Sequence, residues 1–303
     1  VKKGFVHEIS ARRRLRTFFW GFTGVVILGG ISWVLIHSPK DGLLDLTATR
    51  NFWHVSASIA VMAFICELID SSLGMGYGTT LTPLLLILGY NPLQIVPAVL
   101  LSELCSGLSA AFLHHKFKNA NFKLGEVDFK IAASLAVCSI FGALMAVFLA
   151  IHLPVFYIKL YIGVLVFGMG VIIIFTLKKQ FGFSWSRISS LGLVAAFNKG
   201  ISGGGYGPLV TGGQILSGVK SKNAIGITSL AEGLTCMVGV MTYLAFTNHT
   251  VDWRLAPSLV LGAILSVPLA TYAVKIIPAL RLRLIIGLAT LILGALTLLK
   301  LFL

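Results

Sequence analysis

Apolar positions along this chain gather into long runs separated by short polar or basic linkers. The runs predict membrane spans at roughly 18–36, 93–113, 129–150, 156–177, 223–246, 254–275 and 282–302, since a helix needs about 20 apolar residues to cross a bilayer. Two further runs, 52–89 and 188–217, are interrupted by glycine. The first interruption reads Gly74-Met75-Gly76-Tyr77-Gly78-Thr79 and the second Gly203-Gly204-Gly205-Tyr206-Gly207-Pro208. Displaced by 129 positions, they match as G-x-G-Y-G. The same displacement pairs Thr82 with Thr211, Gly89 with Gly218 and Glu103 with Glu232. Glycine is a poor helix former and exposes backbone. At membrane depth such backbone is tolerated only against protein or a wet cavity. Two breaks at matching places in two halves therefore point to a binding site between the halves.

Charge fixes the expected topology. Only 11% of residues are charged and mean hydropathy is +0.94, where a soluble domain carries about 25% charged residues. The formal charge of +14 would suit nucleic acid, but most Lys and Arg sit in linkers, as the positive-inside rule expects. Residues 1–17, with Lys2, Lys3, Arg12, Arg13, Arg14 and Arg16, read as a cytoplasmic arm on anionic lipid. The span from Trp20 to Ile36 is too long for a signal-peptide core and has no small-residue cleavage site. Segments 115–126, 178–187 and 276–283 join the arm inside, and 37–51, 151–155 and 247–253 lie outside. Each broken run is then a hairpin that returns to the side it left, the first facing outward and the second inward. The expected fold is an all-α integral membrane protein with two inverted-topology repeats, each holding a Gly-broken helical hairpin. Repeat 1 covers 52–178 and repeat 2 covers 179–303; residues 1–51 add the arm, an extra N-terminal transmembrane helix and an outer linker. The expected location is the plasma or inner membrane, with the amino terminus inside. Cys66, Cys105, Cys138 and Cys236 fall in apolar spans with no zinc spacing, and are expected to be small core residues without disulfides.

The chemistry concentrates at the breaks. A helix restarting there presents unpaired N–H groups and a positive dipole end, which suit an anion. The candidate binding shell is the backbone of Gly74, Gly76, Tyr77, Gly78, Gly203, Gly204, Gly205, Tyr206 and Gly207. To it are added the hydroxyls of Ser71, Ser72, Thr79 and Ser202 and the ammonium of Lys199. Pro208 fits the first turn of the second restart. The plainer alternative is that the glycines only let helices pack closely. Gly76-Tyr77-Gly78 is similar to part of a potassium filter, but that filter needs four equivalent loops, and Lys199 would repel a cation. A strand-led dinucleotide fingerprint and a P-loop lysine are both missing.

Ionisable residues inside a membrane are functional candidates. Four of the ten acids, Glu67, Asp70, Glu103 and Glu232, lie in apolar segments. Asp70 and Lys199 occupy equivalent positions and either pair or leave Lys199 to attract an anion. Glu67 shares a helix face with Asp70 and Ser71. Glu103 heads a stripe of Ser106, Gly107 and Ala110, and Glu232 one of Thr235, Cys236 and Gly239. These four acids are candidates for coupling or gating, because buried carboxylates can carry protons; hydrogen-bonded helix contact is the alternative. His114 and His115 are expected to end a helix at the membrane surface. No nucleophile–base set, metal box or cofactor motif appears, so neither an enzyme nor a cofactor or metal is expected.

Gly74-Met75-Gly76-Tyr77-Gly78 to Pro83, with Gly89, and Gly203-Gly204-Gly205-Tyr206-Gly207-Pro208, with Gly218, resemble the signature of the TauE/SafE sulfite exporters, also called the toluene-sulfonate-uptake permease family. The likeness covers roughly 52–302. It implies a permease for sulfur-containing anions such as sulfite, thiosulfate or organosulfonates. Met75 and Thr79 stand where the second copy has Gly204 and Pro208, so the halves need not contribute equally. Another small anion such as a carboxylate, or a passive anion channel, is the alternative. The expected partners are the anion, membrane lipid, a coupled proton and a second copy in a homodimer, and not nucleic acid.

Overall fold

The computed structural model describes residues 49–176, 184–246, 251–274 and 279–302. The basic arm and the expected first span lie outside the described residues. Among the described residues there are ten helices and no strands. They are α1 Thr49–Leu73, α2 Tyr77–Ile87, α3 Pro92–Lys116, α4 Val127–His152, α5 Val155–Phe175, α6 Trp185–Ser202, α7 Tyr206–Leu216, α8 Ser221–Phe246, α9 Ala256–Ala273 and α10 Ala279–Phe302. Six of them, α1, α3, α4, α5, α8 and α9, are long and apolar enough to cross a membrane. Phe141, Met145 and Phe148 on α4 and Leu261, Leu265 and Leu269 on α9 are exposed, as a lipid-facing surface requires.

Local chemistry sets the helix ends. Asn91 caps α3 by accepting from the Leu93 N–H, and the Gln94 side chain reaches back to the Asn91 N–H. This reciprocal box, with Pro92 in the first turn, restarts the chain after the α2–α3 turn. Ser184 caps α6 through the Arg187 N–H. Pro154 turns α4 into α5, the tight connection expected there.

Helix bounds recur at the offset of 129: Tyr77 opens α2 and Tyr206 opens α7, and α3 and α8 begin at Pro92 and Ser221. Packing is reciprocal as well. Helix α1 lies on α9 as α6 lies on α4, and α3 lies on α9 as α8 lies on α4. At the centre α3 packs against its own counterpart α8, and at the edge α5 packs against α10. Gly239 faces Leu100, Gly233 faces Leu108 and Gly226 faces His114, so α3 and α8 run antiparallel. Small residues make these crossings close. A Cβ on Gly107 would lie 3.1 Å from the Ser229 carbonyl oxygen, and one on Gly262 would lie 2.9 Å from the Ala60 carbonyl carbon.

Two matched caps hold the ends of the broken helices. The carbonyl of Ser71, in the last turn of α1, accepts from His114 Nε2 at 3.1 Å. The carbonyl of Gly200, its counterpart in α6, accepts from the Tyr243 hydroxyl at 2.9 Å. His114 and Tyr243 are themselves 129 positions apart. The amide of Asn119 sits 3.0 Å from His114 Nδ1 and also donates to the Thr271 carbonyl. The Asn119 amide nitrogen can only donate, which leaves Nε2 as the protonated nitrogen of the ring. His114 is therefore buried at a helix–helix junction, which corrects its expected place at the surface. Of this pair His115 is the exposed one, accepting from the Phe122 N–H. Pairing the apolar runs with the basic linker misassigned His114 because a helix-end carbonyl needs a donor.

These contacts set the stability of three variants. Gly262→Ala should lower stability by about 1–3 kcal/mol, the usual cost of forcing atoms into a packed interior. Gly168→Ala, where nothing lies within 4 Å of the added carbon, should not lower it. Tyr243→Phe should cost about 1 kcal/mol for the lost hydrogen bond. Thermal unfolding in detergent reads all three; a Gly262→Ala protein as stable as Gly168→Ala would contradict the close α1–α9 crossing.

Candidate functional site

The two helix interruptions meet. Helix α1 stops at Leu73 and α2 starts at Tyr77, while α6 stops at Ser202 and α7 starts at Tyr206. Gly74 and Gly203 adopt φ of 70° and 69°, a left-handed conformation that suits glycine at a helix end. A Cβ on Gly204 would lie 2.7 Å from the Gly78 carbonyl carbon, and one on Gly207 would lie 2.7 Å from the Met75 Cα. The backbones are thus in direct contact, and at Gly78, Gly204 and Gly207 the absence of a side chain permits it. Thr211 Oγ1 donates to the Gly74 carbonyl at 2.7 Å and shares a second 2.7 Å hydrogen bond with Thr228 Oγ1. Helix α7 is thereby tied to the break in the other half.

Beside this crossing lies a buried charge cluster. Lys199, in the last turn of α6, forms ion pairs with Glu103 of α3 and with Glu232 of α8, the latter at 2.7 Å from Nζ to Oε1. Lys199 is 1% exposed, Glu103 3% and Glu232 5%. The equivalent glutamates, one from each half, converge on one lysine. Asp70, the counterpart of Lys199, instead accepts from the Tyr77 N–H at 3.2 Å and so caps the start of α2. The lysine's ion pairs are to the glutamates rather than to Asp70. Glu67 Oε1 accepts from Ser71 Oγ at 2.5 Å. Cys236 Sγ lies 3.9 Å from Glu103 Oε2. Glu67 Oε2, Glu103 Oε1 and Thr82 Oγ1 are buried without a hydrogen-bond partner among the described residues.

The remaining hydroxyls of the expected shell serve the backbone. Ser72 donates to the Ile69 carbonyl and Thr79 to the Gly76 carbonyl. Ser202 donates to the Asn198 carbonyl and accepts from the Gly204 N–H. Tyr77 and Tyr206 are fully buried, Tyr77 bonding Ser102 at 2.7 Å and Tyr206 approaching Ser139 at 3.5 Å. Sequence reasoning missed Thr211, Thr228, His114 and Tyr243 as parts of this region. The 129-residue offset was the signal for the last two, since it aligns them and their carbonyl partners. All four cysteines are free. Among the described residues no group of His, Cys, Asp and Glu could hold a metal ion.

The chain is 29% identical over 231 residues to a probable membrane transporter protein, YtnM, of Bacillus subtilis, covering 71% of this chain and 73% of that one. No solved structure matches it. The family model described as sulfite exporter TauE/SafE matches residues 59–297, a stretch that contains both glycine breaks and the whole charge cluster. The chain belongs to the TauE/SafE sulfite exporter family, whose members are membrane transporters and not enzymes.

Proposed function

We propose that this protein is a secondary transporter for a small sulfur-containing anion such as sulfite, thiosulfate or an organosulfonate. The observation that carries this reading is one buried lysine, held by two equivalent glutamates, next to two touching helix breaks in a chain of this family. Asp70 already occupies the start of α2. The equivalent position of the second half, in the last turn of α6 just before α7, holds Lys199 in place of that acid. The anion therefore binds near the membrane midplane on the α7 side of the crossing, where helix dipole, backbone N–H groups and ammonium act together. The two halves act as inverted-topology repeats about a Gly-broken hairpin each. Support comes from the reciprocal packing, from antiparallel α3 and α8, and from the Tyr77–Ser102 bond, which turns α2 back along α3. The protein sits in the plasma membrane with its amino terminus inside, and Glu67, Asp70, Glu103 and Glu232 couple or gate the movement.

Purified protein in proteoliposomes, offered thiosulfate, sulfite, methanesulfonate and acetate, tests the substrate class. At least one sulfur anion should exchange faster than acetate; preference for acetate would reassign the substrate to carboxylates, and single-channel currents would mark a channel. Lys199→Ala should slow transport about ten-fold or more, the loss of roughly 1.4 kcal/mol or more of binding. Lys222→Ala, which removes an exposed charge, should stay near the wild-type rate. Cysteines placed at Lys118 and Trp253 should label from opposite sides; labelling from one side would refute the inverted arrangement.

A further inference from the structure

Among the buried polar groups, the triad of Lys199, Glu103 and Glu232 raises a problem that the transport reading must solve. The ammonium that should greet an anion is already bonded to two carboxylates. An anion brought against that arrangement would place three negative groups around one positive one, in a site whose charged residues are 1–5% exposed. Uncompensated charge in such surroundings is costly. The neighbours do not relieve it. Asp70 and Glu67 of α1 add acid, and Cys236, Tyr77, Cys66 and Tyr206, which face the same acids, bring no cation. Lys199 is the one cation facing the acids in this cluster among the described residues.

We infer that the anion exchanges places with a glutamate on Lys199, and that each unit of negative charge entering the site comes with one proton taken up by the Glu103–Glu232 pair. The inference rests on the transport reading above and names its coupling. In the resting site one proton is shared by the two glutamates, so lysine, carboxylate and carboxylic acid sum to zero. When a monoanion binds, a proton from the same side converts the remaining carboxylate to the acid. Lys199 then faces the anion alone, and the sum is again zero. The unpartnered Glu103 Oε1 is the place for a proton in this scheme, being buried, uncovered by any donor and next to the ammonium. The two glutamates come from α3 and α8, which pack antiparallel as counterparts across the two halves. Proton and anion consequently travel in the same direction, and the step carries no net charge.

Methanesulfonate tests this, because its own charge does not change with pH over the working range. Full-length protein is reconstituted in vesicles with the membrane potential clamped at zero, and the steady-state ratio of internal to external methanesulfonate is measured against an imposed pH gradient. One proton per anion predicts about a ten-fold rise in that ratio for each pH unit by which the outside is more acid, since a ten-fold ratio equals about 1.4 kcal/mol. A dye trapped inside should report acidification as the anion enters. Imposing a potential of either sign should leave the ratio unchanged. A ratio indifferent to the pH gradient, or protons moving opposite to the anion, overturns the inference while leaving the transport reading in place. If no sulfur anion moves at any pH, the transport reading falls and this inference falls with it. Where Glu103→Gln/Glu232→Gln protein moves the anion, it should lose the ten-fold response. The wild-type measurement decides the matter even where that variant does not fold.

Discussion

The buried ion pairs of Lys199 are the constraint on which this structure turns. They join three helices, α3, α6 and α8, that belong to both halves of the chain. Breaking such a pair by removing one partner typically costs about 3–5 kcal/mol, because a buried charge is left alone. The arrangement therefore holds the halves together only while its charges balance. Two carboxylates against one ammonium do not balance without a proton, so under the proposed coupling the packing of the halves would follow proton occupancy.

The glycines surrounding the cluster are explained by contact. At Gly78, Gly204 and Gly207 any side chain would strike the backbone of the opposite break. At Gly107 and Gly233 the small residues let α3 and α8 approach until their glutamates reach one lysine. Close packing and polar chemistry, which the sequence offers as alternatives, thus depend on each other here. The breaks free helix ends, the ends need partners, and His114, Tyr243, Asp70 and Thr211 supply them. In a membrane an orphaned carbonyl cannot turn to water, so these caps are as necessary as the breaks they serve.

Much of this was legible in the residues. The apolar runs place the long helices, and the 129-residue offset aligns α2 with α7 and Glu103 with Glu232, because local glycine chemistry and helix length act over short stretches of chain. The partners of Lys199 were not legible. Asp70 matched it by offset, yet an offset pairs positions that symmetry makes equivalent, and equivalent positions meet only when they lie on the axis. Glu103 and Glu232 come close enough together to share one side chain, whereas Asp70 turns to its own helix start. His114 was misplaced for a related reason. Its basic neighbours Lys116 and Lys118 signal a membrane boundary, but the helix carries one face of the same turn into the protein interior.

The single lysine also breaks the equivalence of the halves. Two matched glutamates and one cation cannot be satisfied symmetrically at every moment, whereas two lysines or none could be. If the halves exchange conformations during transport, as inverted repeats permit, the lysine need not move far: it is bonded to one glutamate from each half. A shift of preference between Glu103 and Glu232 would then accompany the exchange, with the proton residing on whichever carboxylate the ammonium leaves. Asp70 closes the start of α2, whereas its counterpart Lys199, in the last turn of α6, turns to the two glutamates. Under the proposed transport, a cation on one half only would let the site bind a single small anion and release it when the carboxylates reclaim the lysine.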